Sequence, residues 1–197
     1  ICNYSKWDKR FVNQILEIIA LEEGIISNNI KMNKENLNLL KNLGFSDKRI
    51  AFLTSMEEIQ ISKLRQEFNI YPQYKRIDTC ANEFNSKTAY LYGTYELDSS
   101  IEFHCESEPS DKEKVIILGG GPNRIGQGIE FDYCCVQAVF GLKELGYKTI
   151  MINCNPETVS TDFDLVDRLY FEPVTYEDVM NVIDFEKPDG VLVQFGG

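Results

Sequence analysis

The stretch with the clearest potential for chemistry is residues 119–128, which carries one arginine, Arg124, among five glycines. Those glycines are Gly119, Gly120, Gly121, Gly126 and Gly128. An apolar run at 114–118 precedes the stretch, and apolar residues at helical spacing follow it from Val136. This pattern predicts a buried strand, a turn and a helix. Such a turn directs backbone N–H groups and a helix N-terminus at one place, which favours an anion.

Two known phosphate-binding motifs do not fit this turn. The Walker loop places Lys and Ser or Thr after its last glycine, but Gln127 and Gly128 follow Gly126 here. The dinucleotide-binding fingerprint requires a third glycine where this chain has Arg124. On turn chemistry alone, a strand-to-helix turn that binds no ligand explains these glycines as well as an anion-binding turn does, at roughly even odds.

Three charged residues near the predicted turns are the strongest candidates for binding, namely Arg124, Glu130 and Glu157. Each follows a predicted strand, so their side chains could converge. The simpler interpretation is an ion pair that pins the turns together, and spacing alone favours it by roughly two to one. The six cysteines and single histidine show no zinc-ligand spacing, and no histidine adjoins Cys134 or Cys154 to activate a thiol nucleophile.

The second half of the chain alternates strand and helix patterns. Strands are predicted at 114–118, 148–154, 168–171 and 190–195, with helices ending near Leu145 and beginning at Thr175. This alternation predicts a parallel sheet with right-handed crossovers. Ligands of such sheets bind at the carboxyl ends of the strands. That edge would collect residues 119–128, 153–157 and 194–197.

The first half is predicted to be helical. Trp7, Phe11, Ile15 and Ile18 form one apolar stripe, which we expect to be core or, alternatively, a subunit interface. Other signals include an N-cap at Asn33, glycine stops at Gly24 and Gly44, a short helix at 47–53 and a capping box at 55–58. Extended segments within 74–96 are predicted to connect this part to the sheet.

Charge is divided unevenly along the chain. Residues 1–97 contain 13 basic and 12 acidic groups, a net of +1, whereas residues 98–197 contain 7 and 19, a net of −12. This change predicts a boundary near residue 98, with an acidic surface loop at 98–113 that includes His104. The total of −11 argues against nucleic acid as a partner. We expect no membrane span and no secretion signal, and both ends look cut from a longer protein.

Four long motifs resemble one family. They are GGGPNRIGQGIEFDYC at 119–134, NCNPETVSTD at 153–162, DRLYFEPVT at 167–175, and YKRIDTCA at 74–81 continuing to Tyr95-Glu96. In order and spacing they resemble the large subunit of glutamine-dependent carbamoyl phosphate synthetases. The resemblance implies a mixed fold with an all-α oligomerisation domain and connector at 1–97 and an acidic linker at 98–113. A Rossmann-like α/β domain with a parallel sheet, the pre-ATP-grasp domain, would occupy 114–197.

The same resemblance implies an ATP-dependent ligase that makes carbamoyl phosphate for pyrimidine or arginine synthesis. This piece would assemble the enzyme and line its carbamate tunnel with Arg124, Glu130 and Glu157, without catalysing anything alone. It would hold no cofactor or metal, while the complete enzyme would use ATP, Mg²⁺ (or Mn²⁺) and K⁺. Expected partners are a glutamine amidotransferase domain or subunit, the remaining ATP-grasp domains of the same chain and further copies through the helical domain, all in the cytoplasm.

Two other interpretations remain open from sequence. The sheet domain could belong to another ATP-grasp ligase such as a biotin carboxylase, although the helical half and the DTCA segment count against this. Alternatively, the chain could be a non-enzymatic oligomerisation scaffold whose glycine turn binds nothing.

Overall fold

A computed structural model describes residues 2–77, 88–97, 105–193 and 195 of the 197-residue chain. The chain divides into two compact units, Ile1–Ile70 and Tyr71–Gly197. The sequence-based boundary near residue 98 stays a prediction. The predictions for His104, for the 78–81 part of the YKRIDTCA motif and for Gln194, Gly196 and Gly197 lie outside the described residues.

The first unit consists of helices in its described part. They are α1 (Cys2–Ser5), α2 (Lys9–Ile26), α3 (Lys34–Asn42), α4 (Asp47–Thr54) and α5 (Glu58–Glu67). The predicted N-cap is confirmed, since the Asn33 side chain accepts a hydrogen bond from Asn36 N at 2.9 Å. The end of α3 is confirmed too, with Gly44 at φ +88° and Phe45 buried beside it.

The core of this unit joins α3, α4 and α5. It contains the aliphatic side chains of Leu37, Leu40, Ile50, Leu53 and Ile61. An ionic cluster is buried with them: Asp47 accepts from Arg65 Nε at 2.8 Å and lies 3.2 Å from Lys41 Nζ. A buried carboxylate is tolerated when cations and hydrogen bonds satisfy it, as they do here.

Three helical predictions were wrong in detail. The stripe expected to be core is exposed: Trp7, Phe11, Ile15 and Ile18 show between 41% and 66% of their surface. Helix α2 continues past Gly24 to Ile26, which leaves Gly24 inside the helix against Ile30. The capping box uses Glu57 and Gln60, because Ser55 has already adopted a left-handed conformation that ends α4.

The second unit is a mixed sheet flanked by two helices. Its elements are β1 (Gln73–Lys75), β2 (Tyr90–Thr94), β3 (Lys114–Leu118), α6 (Glu130–Glu144), β4 (Lys148–Asn153), a 3₁₀ turn (Val159–Thr161), β5 (Arg168–Phe171), α7 (Tyr176–Glu186) and β6 (Gly190–Leu192). The strand order is β1-β2-β5-β4-β3-β6. All neighbouring strands are parallel except β1 and β2. The predicted α/β architecture with a parallel sheet is thus present among the described residues.

Apolar side chains fill both faces of the sheet. On one face Cys135, Val136 and Val139 of α6 pack on Ile117 and Met151. On the opposite face, α7 contributes Val182 to a cluster that joins strands β1 to β5. Burial on both faces explains why β3 and β4 consist mainly of Val, Ile and Met rather than alternating polar and apolar residues.

The segments predicted to connect the two halves form part of this sheet. Strand β2 pairs with β5, and β1 pairs with β2. The described part of the acidic loop also packs here, since Glu106 N donates to Tyr74 O at 2.8 Å and Ser107 is buried against Tyr170. The loop therefore packs partly against the sheet rather than lying wholly on the surface as predicted.

Candidate functional site

The carboxyl ends of β3 and β4 lie side by side, with Leu118 opposite Ile152. The chain leaves β3 into the glycine turn, residues 119–128, while it leaves β4 through Asn153. Gly119 N still donates to Ile152 O at 2.9 Å, so the turn starts in register with the sheet. Gly121 and Gly126 have φ values of +73° and +86°, a backbone conformation that residues with a Cβ adopt rarely.

A buried asparagine joins the two loops. Asn153 is 1% exposed, and its Oδ1 accepts from Gly121 N at 3.1 Å and from Cys154 N at 2.9 Å. Its Nδ2 donates to Ser160 Oγ at 3.1 Å. Hydrogen bonds therefore satisfy both ends of this buried amide, as a polar group in the interior requires.

The segment 154–161 is fixed by α6. Asp132, in the first turn of α6, accepts from Thr158 Oγ1 at 2.6 Å and from Ser160 N at 2.7 Å. Asn155 adds a second connection, because its Nδ2 donates to Asn123 Oδ1 at 2.8 Å. The two loops and the helix N-terminus are thus held together by side-chain hydrogen bonds.

Between these loops lies a polar cleft of about 190 Å³. Its lining combines turn glycines with amide, hydroxyl and carboxylate side chains from the β4 loop and from α6. The residues are Gly120, Gly121, Asn123, Gln127, Gly128, Ile129, Asp132, Asn153, Asn155, Glu157 and Thr158. A cleft of this size and polarity suits a small hydrophilic molecule or ion at the predicted edge of the sheet.

The three predicted charged residues take different places around this cleft. Glu157 lines it, with its backbone N–H bonded to Asn155 Oδ1 at 3.1 Å. The guanidinium of Arg124 is exposed and donates to Gly120 O at 3.2 Å and Gln127 Oε1 at 3.3 Å, so it braces two lining residues. Glu130 begins α6, and its carboxylate occupies the space where a Cβ on Gly128 would stand. Their roles in a tunnel stay predictions.

No ion pair joins Arg124 to either glutamate among the ion pairs of the described residues. The sequence placed Asn153 at this edge of the sheet, but it did not predict that Asn153 and Asp132 bridge the loops. A polar residue at the end of an apolar strand and an acid in a helix's first turn were the available signals. Neither has a periodic pattern that would distinguish it from a surface residue.

Within the described ranges, no three His, Cys, Asp or Glu residues are grouped so that they could hold a metal ion. None of the described helices combines the length and apolarity needed to cross a membrane. Cys135 is buried in α6, and burial raises the pKa of its thiol to about 12, so this thiol stays protonated at neutral pH.

The described residues thus form a helical unit and an α/β unit of mostly parallel strands, whose carboxyl edge carries a polar cleft of the kind that binds ligands in this class of protein. Comparison with known families identifies both units. Residues 111–197 match the carbamoyl phosphate synthase preATP-grasp domain, and residues 1–69 match the carbamoyl-phosphate synthetase large chain, oligomerisation domain. The chain belongs to the carbamoyl phosphate synthase large-chain family.

Similar proteins match along the whole chain. The carbamoyl phosphate synthase large chain of Pasteurella multocida is 57% identical over 99% of this chain, and that of Vibrio cholerae is 53% identical over 100% of it. The arginine-specific large chain from Arabidopsis thaliana chloroplasts is 54% identical over 100% of it. This chain spans only 18%, 18% and 16% of these relatives respectively. The matches favour the first of the three sequence interpretations.

Proposed function

We propose that this chain is a segment of an enzyme that makes carbamoyl phosphate from bicarbonate, glutamine-derived ammonia and two ATP. The observation that carries the proposal is the tandem match to an oligomerisation domain and a preATP-grasp domain, at 1–69 and 111–197. Relatives at 53–57% identity over the whole chain support it. The product would serve pyrimidine or arginine synthesis, and one relative is named as arginine-specific.

In this proposal the helical unit assembles copies of the enzyme. The exposed stripe supports that role, because Phe11 and Ile15 of α2, and Trp7 just before this helix, are each at least 45% exposed in the chain by itself. Exposed aromatic and aliphatic side chains in a row commonly mark a protein–protein contact. Further copies, the remaining ATP-grasp domains and a glutamine amidotransferase domain or subunit are the proposed partners, in the cytoplasm.

The assembly role is tested in the complete enzyme by Ile15→Glu. A carboxylate placed in an apolar interface loses its hydration and weakens association, so sedimentation velocity should show smaller species. Gln14→Glu adds the same charge at an exposed polar position on the same helix and serves as the control. Equal sedimentation of both variants and the parent would contradict assembly through α2.

The α/β unit would shelter carbamate on its way between two ATP sites. Carbamate is a labile anion, and exclusion of bulk water protects such intermediates. A guanidinium can hold a carboxylate-like anion through two hydrogen bonds, which is the role proposed for Arg124. Glu130 and Glu157 would release the anion or gate its passage. The position of Glu157 in the cleft supports this assignment.

Nucleotide chemistry is assigned to other parts of the enzyme. Gln127 and Gly128 take the positions where a Walker loop has its lysine and hydroxyl, and the described residues include no metal-ligand cluster. These residues do not fit ATP or Mg²⁺, so no step here is derived through them. ATP, Mg²⁺ (or Mn²⁺) and K⁺ would act in the complete enzyme, and this segment would be inactive alone.

The tunnel role is tested by Arg124→Ala, Glu130→Gln and Glu157→Gln in the complete enzyme. We expect less carbamoyl phosphate per ATP hydrolysed, with bicarbonate-dependent ATP hydrolysis retained, because carbamate would escape and decompose. Glu144→Gln, at an exposed position of α6, is the matched control. An unchanged ratio in all three variants would contradict the role.

A further inference from the structure

We propose that Asn153 is a positioning residue that sets the distance between the two walls of the cleft. One wall is the glycine turn, and the other is the segment 154–161, which carries Glu157. The inference rests on the proposed function, since the cleft must be part of the carbamate route for its width to affect coupling. Asn153 itself need not contact the anion.

The first argument is that one amide contacts both walls. Oδ1 accepts from Gly121 N in the turn and from Cys154 N at the start of the segment. Nδ2 donates to Ser160 Oγ near the segment's end. Both Asn153 and Ser160 are at most 1% exposed, so water cannot readily replace these bonds.

The second argument is the close approach of the turn to this side chain. A Cβ built on Gly119 would stand 2.5 Å from Asn153 Nδ2, which is too close for any side chain. Gly119 is therefore needed so that the turn can lie against Asn153. On the other side of the turn, a Cβ on Gly121 would be in ordinary contact with Val174, at 3.8 Å. The turn lies between a fixed amide and the chain that follows β5.

The third argument is that the residues following Glu157 are held by the same network, from β4 on one side and from α6 on the other. Ser160 receives the Asn153 bond at its hydroxyl and donates its backbone N–H to Asp132 at 2.7 Å. Thr158, adjacent to Glu157, donates to the same Asp132 carboxylate at 2.6 Å. The backbone that carries Glu157 is thus tied to β4 through Asn153 and to α6 through Asp132.

Such a network matters because the position of a group that guides a reacting species is critical. A mutation far from the reacting atoms that displaces such a group by about 1 Å can lower a rate by about 100-fold. Loss of the Asn153 amide frees the glycine turn and the Glu157 segment to move independently. The walls would then no longer exclude water reliably.

The test uses Asn153→Ala and Ser160→Ala in the complete enzyme. Asn153→Ala removes bonds to both walls, whereas Ser160→Ala removes only one of the three and is the milder change. We expect carbamoyl phosphate per ATP hydrolysed to fall by about ten-fold in the first and about two-fold in the second. Bicarbonate-dependent ATP hydrolysis should stay within a factor of about two of the parent.

Ser107→Ala is the matched control. Ser107 is 5% exposed and loses one buried hydrogen bond, to Tyr170, in the same unit but away from the cleft. A merely structural role for Asn153 would lower both activities together, as general destabilisation does, and would overturn the proposal. So would a parent-like ratio in the soluble Asn153 and Ser160 variants.

The two hypotheses fail in different ways. If the Arg124, Glu130 and Glu157 variants uncouple the enzyme while Asn153→Ala and Ser160→Ala do not, only the positioning role is overturned and the tunnel stands. If neither set uncouples it, both the tunnel and the positioning role are overturned.

Discussion

Two buried glutamates at opposite ends of the same sheet are stabilised in contrasting ways. Glu186, the last residue of α7, is 1% exposed and accepts from Arg168 Nη1 at 2.6 Å and Lys114 Nζ at 3.3 Å. Glu172 follows β5 at the other end, is 9% exposed, and accepts a hydrogen bond from Gly93 N. Among the ion pairs of the described residues, none includes Glu172.

The difference follows from helix α7. Glu186 lies at its C-terminus, where the helix dipole disfavours an anion, and two cations compensate. Asp178, in the first turn of α7, adds a like charge near Glu172. The pKa of Glu172 is raised to about 7, chiefly by burial and also by the charge of Asp178, while the hydrogen bond from Gly93 N–H opposes the rise. The amino edge of the sheet is thus closed by ion pairs, while the carboxyl edge, which holds the cleft, contains a carboxyl group that titrates near neutrality.

Among the substitutions that test this contrast, Glu186→Ala is expected to have the largest effect on stability. It leaves the cations of Lys114 and Arg168 without their carboxylate in a largely buried site, which costs about 3–5 kcal/mol of stability. Hydrogen exchange of the β3 and β5 amides in the complete enzyme measures this loss within the unit. Lys148→Ala breaks the more exposed pair with Asp167 and should cost at most about 1 kcal/mol. Equal losses in the two variants would contradict the difference in burial.

At the other end, the prediction concerns pH. Folding raises the pKa of Glu172 from its ordinary value to about 7, so the folded state binds more protons in that interval. The stability from protonated Glu172 is therefore complete below the unfolded pKa and is lost as pH rises through about 7, by up to about 3 kcal/mol. Glu172→Gln, whose amide oxygen can still accept from Gly93 N, should abolish this loss.

The measurement is the protection of β2 and β5 amides at pH 5.5 and pH 8, corrected for intrinsic exchange rates. Wild type should lose protection at the higher pH and Glu172→Gln should not. The nearby groups that bear on Glu172 are Asp178 from α7 and the Tyr74 hydroxyl from β1. Glu144→Gln, exposed on α6, controls for a general charge effect. Parallel losses in all three proteins would show that Glu172 is not the titrating group.

The two regions also differ in how well sequence predicts them. Strands β3 and β5 match the predicted ranges, and β4 differs by one residue, because buried parallel strands leave continuous apolar runs. The predicted end of α6 and start of α7 are confirmed. Gly146 adopts a positive φ after α6, and the Thr175 hydroxyl caps α7, so both boundaries depend on residue types that are visible locally in the sequence. The prediction that the apolar stripe along α2 lies in the core was wrong, since such a stripe indicates burial but does not show which surface covers it.

The cleft was predicted only in part. The position of the cleft followed from the rule that ligands of parallel sheets bind at the carboxyl ends of the strands. Glu157 and the glycines were predicted there because they follow strands. The contacts of Asn153, Ser160 and Asp132 join residues up to 32 positions apart, and no local pattern encodes such pairing. Likewise, the incorporation of β1 and β2 into the sheet depends on strand pairing across the chain, which two short segments do not specify.

A smaller effect would sharpen the contrast between the crowded carboxyl edge and the rest of the unit. Gly119→Ala places a methyl group within the Asn153 side chain, and relief of that overlap should cost about 1–3 kcal/mol. Gly141→Ala is the matched change, because Gly141 lies in α6 with nothing within 4 Å of an added Cβ. There the substitution should stabilise by about 0.5–1 kcal/mol through helix propensity.

Hydrogen exchange in the complete enzyme again separates the two glycine variants. Protection should fall for the amides of β3 and β4 in Gly119→Ala and rise or stay constant along α6 in Gly141→Ala. If Gly119→Ala proves as mild as Gly141→Ala, Asn153 can move aside at little cost. The carboxyl edge would then be adaptable rather than fixed, and the positioning role proposed for Asn153 would lose its geometric basis.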